Sequence, residues 1–303
     1  MSADAERDRL PASAIGTALI VAAIWGFNFV VIKVGVSAVP PLFLAALRFL
    51  FSALPAVFLV RRPAAPLRSL AAYGLLLGVG EFGFLFTAIK LGAPAGLSSI
   101  LLQSQAFFTA LLVAAALKER LRARNVAGMA VAAAGLALFA ASAGAGSGGL
   151  SLPLLGMILL AALGWAGANI QARRIPPSGA LGLMAWSSLF APLPMAALSL
   201  IFVGPAAIAS SMAGLSWLTV GALAYLVILS TLVGYGRWNA LIARHGASRI
   251  ALFSLLVPVF SLASTSLLLG ERIGAAEVAG SVLILAGLLV HALGGRIRAR
   301  GGA

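Results

Sequence analysis

The chain has 303 residues, 62% hydrophobic and only 9% charged, with 21 Lys+Arg, 7 Asp+Glu and no cysteine. An average soluble domain is roughly 45–50% apolar and about 25% charged, so a water-facing surface cannot be covered and the lipid bilayer is the expected surrounding. Lack of cysteine excludes disulfides and thiol chemistry, and with only His245 and His291, far apart, no metal or other cofactor is expected.

Residues 1–11 form a polar tail of mixed charge that does not resemble a cleaved signal peptide. Ten apolar runs follow, each near the roughly 20 residues a membrane helix needs. They lack the alternation of barrel strands, and the spacing predicts helices. The first, about Ala12–Lys33, carries Trp25 and Asn28 in WGFN. The second, about Pro41–Val60, holds Arg48, placed either to meet a substrate carboxylate or to hydrogen-bond carbonyls that a proline such as Pro55 frees. The third, about Leu70–Ile89, holds Glu81, the only acid deep in a span. A charge at that depth costs roughly 2.5–3.5 kcal/mol on insertion scales and is a functional candidate by default. Glu81 is expected either to hold a substrate amine or take up a proton, or to stay protonated and share a buried hydrogen bond in the bundle. Gly74 and Gly78 in the same span make a close-packing stripe.

The fourth run, about Ala95–Leu117, contains Gln103 and Gln105. Positions two apart on a helix point to different faces, so one of them is expected to meet a cavity. The fifth is about Asn125–Ala143, and residues 144–151 form a Gly/Ser-rich linker. The sixth, about Leu152–Ala172, repeats the first motif as WAGAN, with Trp165 and Asn169. An aromatic beside an amide suits either a small polar solute or plain helix packing. The seventh is about Ala180–Val203. The eighth, about Trp217–Ala243, carries Tyr235 and Trp238 as vestibule candidates and Arg237 placed to snorkel. Tyr73 and Tyr225 are expected in outer helix turns as interface anchors. The ninth, about Arg249–Leu269, has Pro258 as a hinge or packing bend, and the tenth is about Ala275–Leu293, before a basic tail at 295–303.

Positive residues cluster in alternate connections. If the N-terminus lies inside, 16 of the 21 Lys+Arg fall on the cytoplasmic side, as the positive-inside rule requires, and both termini are cytoplasmic. This is a topology signal, so nucleic acid is not an expected partner. LKERLRARNVAG at 117–128 returns as LGERIGAAEVAG at 269–280, and the matches include Glu119/Glu271, Arg120/Arg272, Gly128/Gly280 and Gly135/Gly287. The second copy loses the charges of Lys118, Arg122 and Arg124. Five spans per half turn the halves upside down relative to each other, so the second turn faces outward. The expected fold is all-α and integral to the membrane: ten transmembrane helices in a 5+5 inverted repeat, 12–143 and 152–294, around a central cavity.

Trp25 to Val30, Leu47-Arg48-Phe49, the repeated Glu-Arg turns and Leu255 to Val259 resemble the drug/metabolite transporter superfamily, EamA type, over about Ile15 to Leu293. Order and spacing carry the likeness. Within it the chain looks most similar to bacterial exporters of cysteine and O-acetylserine, with YddG-type amino-acid exporters as relatives. The resemblance implies a cavity walled by spans 1, 3, 4, 6, 8 and 9. Glu81 departs from it, standing where a neutral polar or aromatic residue is expected. The function so implied is secondary export of amino acids or related metabolites across the bacterial inner membrane by alternating access. Cationic drugs, or less readily phosphorylated sugars, are the alternative cargo. No base lies near a nucleophile and no phosphate loop appears, so no enzyme is expected. A monomer is plausible.

Overall fold

A computed structural model describes residues 10–117, 123–144, 150–175 and 180–293. Among these residues nine helices are long and apolar enough to cross a membrane, a tenth apolar helix is shorter, and no strand occurs. In chain order they are α1 Ala12–Ala38, α2 Pro41–Leu59, α3 Leu67–Lys90 and α4 Ala95–Leu102 continued by Gln105–Leu117. Next come α5 Ala123–Gly144, α6 Leu152–Arg173 and α7 Ala180–Ser188 continued by Pro192–Ala213. Last are α8 Trp217–His245, α9 Leu256–Leu269, which with the turn before it makes the span Leu252–Leu269, and α10 Ala275–Leu293, whose apolar stretch Ala275–His291 is the shorter one. The expected turn at 118–122, linker residues 145–149, Pro176, Pro177 and both tails lie outside the described residues.

Large apolar side chains project outward. Phe58, Leu59, Ile201, Phe202, Trp217 and Leu267 are all more than 70% exposed. That surface suits hydrocarbon and not water, where patches of this size are rare on a monomer.

Proline sets several helix starts: Pro41 occupies the first turn of α2, and Pro66 and Pro94 stand just before α3 and α4. Ser216 caps α8, its hydroxyl accepting from the Thr219 N–H at 3.2 Å. Gly270 ends α9 in a left-handed conformation, φ 64°, which only glycine adopts without strain.

Four elements differ from the sequence expectation. α1 runs on to Ala38, so Lys33 lies within the helix and donates from Nζ to Ile89 O at 3.2 Å. α4 breaks at Gln103–Ser104. α7 is interrupted before Pro192 and bends again at Gly204, φ 78°, followed by Pro205. The expected outer loop there is largely helical. α9 is preceded by a short helix, Ala247–Ile250, and a 3-10 turn, Ala251–Leu255.

The helices pair as α1 with α9, α2 with α7, α3 and α4 with α6, and α5 with α10. Glycines bring the backbones together. A Cβ on Gly128 would stand 2.6 Å from Gly287 O, and one on Gly135 2.7 Å from Gly280 O, so α5 and α10 run antiparallel. The stripe of Gly74 and Gly78 meets Ser187 and Ala191 at the break in α7.

Candidate functional site

The site begins with two irregular stretches. α3 is wound as a π-helix over Leu76–Gly83, and α8 over Tyr225–Val233. Each looser turn shifts the side chains that follow it, and such turns are frequent at functional sites. The first carries Glu81 and the second Ser230 and Thr231. Thr231 Oγ1 donates five residues back, to Leu226 O at 2.8 Å. Gly164 of α6 seats the first stretch, because a Cβ there would meet Gly80 and stand 2.8 Å from Glu81 N.

These stretches face a cavity of about 540 Å³, within the range of small-molecule sites. Trp25, Tyr235 and Trp238 form its aromatic wall, with Trp25 centroids 5.3 Å from Tyr235 and 5.1 Å from Trp238. Trp25 Nε1 donates to Ser230 O at 3.0 Å, which ties α1 to the π-helical turn of α8. Gln105, Trp165 and Asn169 form a second wall, where Asn169 Nδ2 donates to Gln105 Oε1 at 2.9 Å. Asn28, Glu81 and Gln103 complete the lining drawn from the sequence candidates. Asn28 Oδ1 is buried without a hydrogen-bond partner.

Three expectations need correction. Gln103 and Gln105 both line the cavity, because the helix breaks between them. Tyr73 lines it too and is not an interface anchor. Tyr225 is tied inward, its hydroxyl donating to Ile24 O at 2.8 Å. Pro258 is buried but does not line the cavity. It gives no N–H to Ser254 O four residues back, and Gln103 Nε2 donates to that oxygen at 3.4 Å.

Arg48 is the residue that sequence reasoning undervalued. It is 2% exposed and lines the same cavity. Its partners are hydroxyls, not the carbonyls freed by a proline. Nε donates to Thr231 Oγ1 at 3.4 Å, and Nη2 to Ser230 Oγ and Thr231 Oγ1 at 3.4 and 3.3 Å. Cζ lies 4.1 Å from the Phe82 ring centroid, a cation–π contact. Nη1 is buried with no partner, and so is Oε2 of Glu81. A guanidinium and a carboxyl group therefore border one chamber with hydrogen-bonding capacity unused. The available signal was an arginine and a glutamate, each deep in a span.

At one end the lining extends to Ala172, Leu183 and Ile242, and Arg173 and Arg244 stand one and two residues further along α6 and α8. At the other end the helices are tied. Lys33 reaches Ile89 O, Lys90 Nζ donates to Ser37 O at 3.1 Å, and Glu271 accepts from Ala95 N and Gly96 N at 2.7 and 2.9 Å. A larger groove of about 920 Å³ lies between α2, α3 and α7 at that tied end. Its walls are apolar, including Leu42, Phe84 and Phe202, and it holds neither Arg48 nor Glu81.

Comparison with known proteins adds three findings. The EamA-like transporter family matches residues 12–141 and again 152–293. A "probable amino-acid metabolite efflux pump" of Salmonella typhimurium is 45% identical over 288 residues, covering 93% of this chain and 95% of its own. One of the same description from Escherichia coli is 42% identical over 287 residues, with the same coverage. A solved crystal structure aligns with TM-score 0.60 at 22% identity, covering 94% of this chain and 98% of its own, a likeness of fold alone.

Proposed function

This chain belongs to the EamA-like transporter family, and from that premise we propose that its central cavity exports amino acids or related small metabolites from a bacterial cell. It is a multi-pass membrane transporter and not an enzyme. The observation that carries the cargo reading is the polar chamber at membrane depth, with Glu81 and Arg48 left incompletely paired. The printed names of the two relatives agree with it.

The mechanism we favour is alternating access between two inverted five-helix halves. Two matches to one family, at 12–141 and 152–293, support a repeat. The glycine contacts support its inversion. An offset of 152 residues carries Gly128 to Gly280 and Gly135 to Gly287. The contacts observed are Gly128 with Gly287 and Gly135 with Gly280, so exchanging the halves restores the same pair of contacts. π-helical turns in both α3 and α8 agree as well. With the arginine-rich end in the cytoplasm of an inner-membrane protein, the cavity here leads inward and the outer end is tied.

A cationic drug alone would meet Arg48, and a phosphorylated sugar would meet Glu81, so both are poorer cargoes. The test is counterflow in proteoliposomes against a panel of amino acids, with and without a pH gradient. Labelled amino acid is expected to accumulate in exchange for unlabelled. No exchange of any amino acid, with exchange of a cation or sugar phosphate, would replace the reading.

A further inference from the structure

We propose that the cavity recognises its cargo as a zwitterion, Arg48 taking the α-carboxylate and Glu81 the α-ammonium. This rests on the reading that the cavity carries amino acids, and it assigns the two residues that would set specificity.

Both residues carry unmet hydrogen-bonding capacity. Arg48 has five N–H donors in a planar fork. Three long bonds to hydroxyls use Nε and Nη2, and Nη1 has no partner. A hydroxyl is a weak partner for guanidinium, whereas a carboxylate engages it with two parallel charge-assisted bonds. Glu81 is 3% exposed and Oε2 has no partner, while an ionised carboxylate accepts readily from an ammonium. Arg48 lies on α2 and Glu81 on the next helix, and both line the one chamber. The Arg48 guanidinium stacks on Phe82, the neighbour of Glu81 in sequence.

Charge arithmetic then selects the ligand. Taking an ion out of water costs several kcal/mol unless it is well paired. An anion would satisfy Arg48 and leave Glu81 as before, while a cation would do the reverse. A zwitterion satisfies both and adds no net charge to the membrane interior. Recognition therefore falls on the backbone groups that all amino acids share, and the aromatic wall of Trp25, Tyr235 and Trp238 is left for the side chain. The carrier should tolerate many side chains but not the loss of either charged group.

The experiment is competition for counterflow in proteoliposomes. The labelled cargo is the best-exchanged amino acid. The competitors are that amino acid, its decarboxylated amine and its des-amino carboxylic acid. Both analogues are smaller than the parent, so size cannot exclude them. In the wild type each is expected to compete at least tenfold more weakly than the parent. Glu81→Gln should selectively erase the discrimination against the des-amino acid, and Arg48→Gln that against the amine. Residual transport should be higher in Arg48→Lys than in Arg48→Gln. Thermal unfolding of each variant checks that it is folded. If Arg48→Gln does not fold, the analogue panel on the wild type and on Glu81→Gln still decides. Wild-type exchange of amino acids with analogues that compete as well as the parent would overturn the zwitterion site and leave the export reading intact. Unaltered discrimination in Glu81→Gln would do the same. No amino-acid exchange at all would overturn both.

Discussion

Glu271 and Glu81 are both carboxylates in a largely apolar chain, and their surroundings assign them opposite tasks. Glu271 sits at the tied end between α9 and α10. Its two oxygens accept from the first N–H groups of α4, Ala95 and Gly96, at 2.7 and 2.9 Å. Those donors belong to a helix start and have no partner within the helix, and the positive end of the helix dipole favours the anion. Glu81 sits halfway along α3 with Oε2 unbonded. A carboxylate whose oxygens both accept from backbone holds structure, whereas one with unused acceptors is available to a ligand. The two differ in depth and in bonding together, and the unused acceptor at membrane depth is what sets Glu81 apart.

Breaking the tied side should have the largest effect. Glu271→Ala leaves two N–H groups of α4 without an acceptor, at about 1–3 kcal/mol each. Loss of roughly 2–6 kcal/mol is expected, read as a marked fall in the unfolding temperature in detergent. Glu271→Gln keeps one acceptor and should fall between that variant and the wild type. Glu81→Gln tests the other side and should have the opposite sign. Replacing an ionisable acid at membrane depth, where a charge costs roughly 2.5–3.5 kcal/mol, should leave stability equal or higher, while counterflow falls. Equal destabilisation by the two changes would erase the distinction drawn between them.

A third change sharpens the comparison by asking whether the tied regions follow the repeat. Gly135→Ala and Gly287→Ala each push a methyl group into the facing glycine backbone. Overpacking of this kind costs about 1–3 kcal/mol. If the halves are inverted copies, Gly135 and Gly287 are equivalent positions and the two should cost similar amounts, and the double variant about their sum, because they lie in two separate contacts. Thermal unfolding of the three proteins measures this, and clearly unequal single costs would count against an axis that exchanges those two contacts.

Much of the architecture was legible because membrane helices announce themselves by length and apolarity. The ten runs, the repeat of 117–128 at 269–280 and the pairing of Trp25 with Trp165 and Asn28 with Asn169 were all visible in the residues. Nine sequence candidates line one cavity. What escaped was set by helix winding. The π-helical turns of α3 and α8 leave no periodic mark in an almost uniformly apolar run. They bring Ser230 and Thr231 to Arg48, and so turned an expected structural arginine into a cavity residue. The break at Gln103–Ser104 likewise put both glutamines on the chamber. Tyr73 was misjudged because an aromatic near a helix end is usually an interface anchor, and only the depth to which the cavity runs decides otherwise.

The smallest expected effect lies at the bond from Asn169 Nδ2 to Gln105 Oε1, 2.9 Å, with a second contact to Thr109 Oγ1 at 3.3 Å. Interhelical bonds of this kind are worth about 0.6 kcal/mol on average, so Asn169→Leu should barely shift the unfolding temperature. If the amide serves only to pack α6 on α4, counterflow should change as little as stability does. The cavity reading expects more. Asn169 lines the chamber and these bonds go to Gln105 and Thr109 rather than to Arg48 or Glu81, and its loss frees Gln105 to reorient while a leucine covers a polar surface. Transport should then fall severalfold at unchanged stability, with the preference for cargo over its decarboxylated and des-amino analogues retained, because Arg48 and Glu81 are untouched. A matched small loss in both measurements would place Asn169 with Glu271 among the groups that hold the bundle, and not with Glu81.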